Sequence, residues 1–156
     1  MAGNVKPVPK GYHTATPYLI IKEAARAIEF YKKAFGATEL MRMAQPDGKV
    51  RHAEIKIGDS PIMLADEFPE YPDMLSPQSR GGSTVYIYLY VKDVDRVFNQ
   101  ATAAGAKALQ PVKDQFYGDR SGAVTDPFGH VWFIATHKED VSEAEMKKRA
   151  AAQGRS

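Results

Sequence analysis

Lys22-Glu23-Ala24-Ala25-Arg26 returns in the second half of the chain as Lys92-Asp93-Val94-Asp95-Arg96, and Phe35-Gly36-Ala37 returns as Ala104-Gly105-Ala106. The first pair marks a strand-to-helix junction, the second a helix end stopped by glycine. Working outward from the first copy, residues 15–22 read as a strand, and residues 23–35 place Ala24, Ala27, Ile28, Tyr31, Ala34 and Phe35 on one helical face. Strands over 38–44, 50–57 and 61–66 follow, separated by turns at Pro46-Asp47-Gly48 and Gly58-Asp59. A connector over 68–82, rich in Pro, Ser and Gly, leads to the second copy. There the helix begins at Val94, with Val97, Phe98, Ala101 and Ala104 on its apolar face. Strands over 107–112, 123–125 and 130–136 follow, the first two separated by a long loop and the last two by the turn Asp126-Pro127-Phe128-Gly129. This order predicts an α+β protein of two tandem βαβββ modules, 13–67 and 83–137, within one domain spanning 13–140. The modules form a curved mixed sheet around a cavity, with helices on the outer face. Residues 1–12 read as a flexible arm and 141–156 as a C-terminal helix and tail, the helix opened by the capping box Ser142-Glu143-Ala144-Glu145.

A chain of 156 residues buries roughly two-thirds of the surface its unfolded form exposes, so it needs no covalent or metal staple. It contains no cysteine, which excludes a thiol nucleophile, a redox pair and a zinc-thiolate centre. The first residues carry no apolar core of signal-peptide length, and no stretch approaches the roughly 20 apolar residues of a membrane span. The expectation is a cytoplasmic protein with no membrane partner. Net charge is +2, from 21 basic and 19 acidic residues. The basic residues form no stripe that would track a phosphate backbone, so nucleic acid is not an expected partner. Lys147, Lys148 and Arg149 are distributed by helical spacing along a solvated surface.

Several ordered segments resemble the vicinal-oxygen-chelate superfamily of glyoxalases, bleomycin-resistance proteins and dioxygenases. They are the helix Arg26-Ala27-Ile28-Glu29-Phe30-Tyr31, the strand His52-Ala53-Glu54-Ile55-Lys56-Ile57-Gly58-Asp59, and the pair Tyr117-Gly118-Asp119-Arg120 and Asp126-Pro127-Phe128-Gly129-His130-Val131-Trp132. The narrower similarity is to the PhnB-like branch, labelled by likeness to demethylubiquinone methyltransferases. In metal-using relatives, His or Glu residues on paired strands of each module hold a divalent ion. Carried onto this chain, those positions are Thr16, Met63, Tyr86 and Phe133. Duplication relates them, since Thr16 to Tyr86 and Met63 to Phe133 span the same interval as Lys22 to Lys92. A neutral hydroxyl, a thioether, a phenol and a phenyl ring are poor donors to Zn, Ni, Mn or Mg. No metal and no cofactor are expected.

If those positions face a cavity, strand alternation sets their company. Tyr18, Ile20, Ala65, Tyr88, Tyr90, Val131 and Ala135 share that face, while Leu19, Ile21, Ile62, Leu64, Val85, Ile87, Leu89, Trp132 and Ile134 turn toward the helices. On the third strand Ala53, Ile55 and Ile57 join the aliphatic layer, which leaves His52, Glu54 and Lys56 opposite. The candidate ligand-binding residues are therefore Thr16, Tyr18, His52, Glu54, Met63, Tyr86, Tyr88 and Phe133. Arg120 joins them from a glycine-flanked loop, where it would hold a carboxylate or phosphate; an ion pair with Asp119 or Asp114 is its alternative role. The same rings could instead fill a packed cavity or a dimer seam. No GxSxG elbow, phosphate loop or dinucleotide fingerprint is present, and no catalytic residue is assigned. Three readings follow: a metal-independent small-molecule binding protein whose ligand is aromatic or planar, a metal-dependent lyase, isomerase or dioxygenase, and a structural or regulatory dimer with a packed cavity. The open sheet edges left by each module favour a homodimer.

Overall fold

The computed structural model describes residues 3–154; residues 1, 2, 155 and 156, the outer ends of the predicted arm and tail, lie outside the described residues. The chain divides into two compact units, Met1–Gly82 and Ser83–Ser156, each with its own four-stranded mixed sheet.

Unit 1 runs β1(Tyr18–Ile20), α1(Ala24–Phe35), β2(Thr38–Ala44), β3(Val50–Ile57), β4(Ser60–Ala65) and the short α2(Pro77–Arg80), with strand order β1-β4-β3-β2. β1 pairs parallel with β4, and the other pairings are antiparallel. The first strand is shorter than the predicted 15–22. Pro17 has no N–H to donate, so its carbonyl takes the last ladder bond from Met63 N–H at 2.9 Å. Thr16 consequently lies ahead of the strand and not on it. Leu19, Ile21, Ala53, Ile55, Ile62 and Leu64 are buried, the layer that receives Ala24, Ala27, Ile28 and Tyr31 of α1. Glu23 adopts φ 62, so α1 opens one residue later than predicted. Its first N–H is satisfied from the sheet: buried Asp66 accepts from Ala24 N–H at 3.0 Å through Oδ1 and from Val50 N–H at 2.8 Å through Oδ2.

Unit 2 repeats the order as β5(Tyr86–Tyr90), α3(Val94–Ala104), β6(Lys107–Asp114), β7(Asp119–Thr125) and β8(Val131–His137), then adds α4(Glu143–Ala152). Its sheet order, β5-β8-β7-β6, is that of unit 1. The register of the parallel pair is also the same: Tyr18 faces Met63 in the first sheet, and their counterparts in the duplication, Tyr88 and Phe133, face each other in the second. Thr136 occupies the position that corresponds to Asp66 and does the same work with a hydroxyl, accepting from Val94 N–H at 2.9 Å.

Two features of unit 2 depart from the sequence reading. The loop between β6 and β7 is only residues 115–118, because β6 extends to Asp114 and β7 starts at Asp119. Pro111, Gly118 and Gly122 punctuate this stretch like a loop. Pro111 is tolerated on an outermost strand whose pairing is irregular between Gln110 and Lys113. Gly122 is a packing glycine. A Cβ there would stand 3.0 Å from Phe98 of α3 and 2.9 Å from Val112. Val85, expected in the aliphatic layer, precedes β5 and is 68% exposed.

α4 opens on Ser142, whose hydroxyl accepts from Glu145 N–H at 3.2 Å. Arg149 ties this helix down through Glu139 and the Phe116 carbonyl, and pairs with Glu145 one turn earlier in the helix. Among the described residues no helix is long and apolar enough to cross a membrane.

Candidate functional site

Each sheet has one face covered by its helix and one that is not, and the uncovered faces carry the polar and aromatic groups. In unit 1, β1 and β3 place Tyr18 and His52 in a stacked pair with centroids 5.5 Å apart and planes 29° from parallel. The Tyr18 hydroxyl lies 3.1 Å from His52 Nδ1, and His52 Nε2 lies 3.0 Å from Glu54 Oε1. A neutral imidazole satisfies both contacts, with the phenol donating to Nδ1 and Nε2–H donating to the carboxylate. Burial holds the Tyr18 phenol above its ordinary value, so it stays a donor at neutral pH. Met63 sits beside this chain as the register partner of both Tyr18 and Glu54. Tyr18, His52, Glu54 and Met63 therefore form one constellation.

In unit 2, Phe133 is the centre of an aromatic group. Tyr88 stacks on it at 5.8 Å and 5°, Tyr86 lies at 5.9 Å, and Tyr88 contacts Tyr90 at 5.1 Å. These rings remain open to solvent despite their size, with Tyr86 at 53%, Tyr88 at 41% and Tyr90 at 62% exposure. Alternation explains the arrangement, since Tyr86, Tyr88, Tyr90 and Phe133 share parity on parallel neighbours β5 and β8.

Arg120 does not join this group. It lies on β7 and not on a loop, with the parity of Gly122, so it reaches the helix side. There it makes a two-pronged ion pair with Asp95 of α3 at 2.8 and 2.9 Å and a longer contact to Asp114 at 3.3 Å. Asp95 was not among the partners expected for it.

The sequence reading missed a second cluster on the open face. Asp119, 5% exposed, accepts from the Tyr88 and Tyr90 hydroxyls at 3.0 Å each through Oδ2, and its Oδ1 lies 2.8 Å from His137 Nδ1. His137 Nε2 lies 2.8 Å from Asp140. Burial pushes the Asp119 carboxyl up, but the bonds from His137, Tyr88 and Tyr90 outweigh it and leave it below the usual carboxylate range. Hydrogen bonds to Asp119 and then Asp140 hold the His137 imidazole above its ordinary value. Burial, then bonds to Tyr117 and Asp119, push the Tyr88 phenol far up. The available signal was parity, which carries Phe133 through Ala135 to His137 on one face.

Thr16, Met63, Tyr86 and Phe133, the positions at which the resemblance puts metal ligands, offer a hydroxyl, a thioether, a phenol and a phenyl ring. That donor set does not fit a divalent ion. Among the described residues no three His, Cys, Asp or Glu side chains are grouped to hold one.

Depressions among the described residues add to the picture. One of about 620 Å³ lies at the β1–α1 corner against Lys22, Lys49, Glu67 and Phe68. Its counterpart in unit 2, about 430 Å³, is lined by charged groups, Asp95 and Arg120 being paired with each other. A third, about 340 Å³, adjoins Tyr18 and contains Arg51, Phe68, Tyr71 and Met74.

Two helix-covered βαβββ sheets with the same strand order and the same register between their parallel strands, and with aromatic and polar groups on their uncovered faces, define a protein of the glyoxalase type. The profile of the glyoxalase/bleomycin resistance protein/dioxygenase superfamily matches residues 12–134, and the chain belongs to that superfamily. It is 41% identical over 156 residues to the uncharacterized protein Rv0887c of Mycobacterium tuberculosis, covering 99% of this chain and 88% of the relative. TioX from Micromonospora sp. ML1 superposes with a TM-score of 0.62 at 28% identity, over 79% of this chain and 98% of TioX. A PhnB protein from Bacillus cereus, described as a putative 3-demethylubiquinone-9 3-methyltransferase, shares the fold at 18% identity and a TM-score of 0.62, over 80% and 99% of the two chains.

Proposed function

We propose that this protein binds a small planar or aromatic molecule on its uncovered sheet faces, without a resident metal or cofactor. The observation that carries the reading is the exposure of Tyr18, Tyr86, Tyr88 and Tyr90, between 41% and 62%. Large rings on a strand normally bury themselves against neighbours; here they are held in defined stacks and hydrogen bonds while their faces stay accessible. Stacking of a planar ligand adds about 0.5–1.5 kcal/mol per well-placed ring beyond area burial. The Tyr18–His52–Glu54 chain supplies convergent polar groups to orient such a ligand. The donor chemistry at Thr16, Met63, Tyr86 and Phe133 supports metal independence, which elemental analysis of the purified protein checks.

Screening an aromatic and heterocyclic library by amide chemical shifts tests the reading. Binders are expected to move signals around Tyr18 and His52, or around Tyr86, Tyr88 and Phe133. Replacing Tyr86 and Tyr88 together with leucine should weaken binders of the second group by roughly tenfold, the loss of one to two ring contacts. Binders that map elsewhere, or an unchanged affinity, would refute it.

We also propose a homodimer. β2 and β6 are outermost strands, and they expose Leu40, Met41 and Met43, and Leu109, respectively. An unpaired edge of this kind is a template for pairing with a second chain. Light scattering at micromolar concentration should give twice the 17.2 kDa chain mass; a monomer mass contradicts the proposal.

A further inference from the structure

The depression beside Tyr18 holds a cation that neither the aromatic stacks nor the Tyr18–His52–Glu54 chain uses. Its walls are Tyr18 from β1, Arg51 from β3 and three connector side chains, Phe68, Tyr71 and Met74. At about 340 Å³ it falls within the range of small-molecule sites. Tyr18, Tyr71 and Met74 are 41%, 54% and 38% exposed around it, so three large side chains keep much of their surface open beside this space.

Two charged groups line that space, and they differ in what they have left to offer. Both Asp66 oxygens are spent on the backbone N–H groups of Ala24 and Val50, and the residue is only 6% exposed. Arg51 is placed otherwise. Its guanidinium carbon stands over Phe68, 3.9 Å from the ring centroid. Nη1 donates to Glu70, while Nε and Nη2 meet the Gln45 side-chain oxygen at 2.8 and 2.6 Å in the amide orientation that satisfies both side chains. That accounts for three of the five N–H donors a guanidinium carries. Glu70 is a half-exposed connector residue that does not line the space. Its carboxylate is the kind of group an incoming acid would share or replace on the same fork.

We infer that the Tyr18 site selects planar aromatic acids, with the ring lying among Tyr18, Phe68, Tyr71 and Met74 and the carboxylate on Arg51. This rests on the reading of the uncovered faces as small-molecule sites and narrows it to anions. Contact with Phe68 and the bonds to Glu70 and Gln45 hold the guanidinium in place, and a group positioned before binding costs the complex less order. Glu70 acts as an internal competitor, so the same residue that keeps Arg51 neutralised in the empty protein lowers the apparent affinity for a ligand acid.

The experiment compares 2-naphthoate with the neutral 2-naphthamide by calorimetric or chemical-shift titration of the full chain. The acid is expected to bind roughly tenfold more tightly than the amide, the size of one charge-assisted contact. Arg51→Gln should remove that preference while leaving amide binding within about twofold. Glu70→Gln should act in the opposite direction, strengthening acid binding several-fold and leaving the amide unchanged. Both side chains are partly exposed, and the opposite sign of the Glu70 variant keeps the test decisive if the Arg51 variant folds poorly. Equal affinity for acid and amide, insensitive to both substitutions, overturns the anion preference and leaves the small-molecule reading standing. Failure of both compounds to perturb Tyr18, His52 or Tyr71 overturns the Tyr18 site itself; the small-molecule reading falls with it only if neither compound perturbs Tyr86, Tyr88 or Phe133.

Discussion

Replacing Asp126 with alanine is expected to destabilise unit 2 by about 3–5 kcal/mol, the range for stranding partners of a buried charge. Its carboxylate is 4% exposed. Oδ1 accepts from the N–H groups of Phe128 and His130 at 2.9 and 3.0 Å, and Oδ2 from the Trp132 indole N–H at 2.9 Å. Trp132 is fully buried, so its N–H would find no water once the carboxylate is gone. Asp126→Asn preserves the Oδ1 acceptor but turns an amide toward the indole, and should cost about half as much. Chemical denaturation measures both; a loss below about 1 kcal/mol for the alanine variant would contradict this account. The Asp126-Pro127-Phe128-Gly129-His130 turn, which carries much of the family resemblance, is by this geometry a clasp between a turn and the core tryptophan.

Asp119→Ala should cost about 2–4 kcal/mol, since two phenols and an imidazole lose a buried anionic acceptor. On the order of 10 °C of melting temperature follows for a chain of this size. The wild-type protein should also show a stability plateau bounded by these groups. His137 has a folded pKa raised above 6.5, so its contribution is complete below 6.5 and disappears as pH rises through the raised value. Asp119 has a folded pKa lowered below 3.8, so its contribution is complete above 3.8 and disappears as pH falls through the lowered value. Stability from this cluster is therefore greatest between those two ordinary values. In Asp119→Ala the alkaline decline should shrink, and the His137 imidazole should titrate closer to 6.5, retaining only the influence of exposed Asp140. Denaturation midpoints across pH, with the imidazole followed by NMR, check both statements. An unshifted His137 in the wild type would overturn them.

The open face of unit 1 is legible because a strand has a strict period of two. Once Ala53, Ile55 and Ile57 are assigned to the aliphatic layer, His52 and Glu54 must turn the other way, and Tyr18 follows from Leu19 and Ile21. Glycines at 118 and 122 give the strand that begins at Asp119 the look of a loop, so spacing offers Asp119 only as a partner for Arg120. Thr16 falls outside β1 because Pro17 ends the ladder, an effect of backbone hydrogen bonding that side-chain alternation does not register.

By itself the sequence determined the duplication, the order of the repeated elements and, in the strands it read at full length, the face on which their residues lie. These depend on spacing along the chain, and both copies repeat it, down to the matching registers of Tyr18 with Met63 and Tyr88 with Phe133. Only the tertiary structure decided which polar groups meet. Arg120 found Asp95 on the neighbouring helix, Asp119 gathered Tyr88, Tyr90 and His137 from two other strands, and Arg51 came to rest on Phe68 of the connector. Such partnerships depend on distances across strands and helices, which close to contact only after the sheets form and the connector packs, and no periodicity in the chain encodes them.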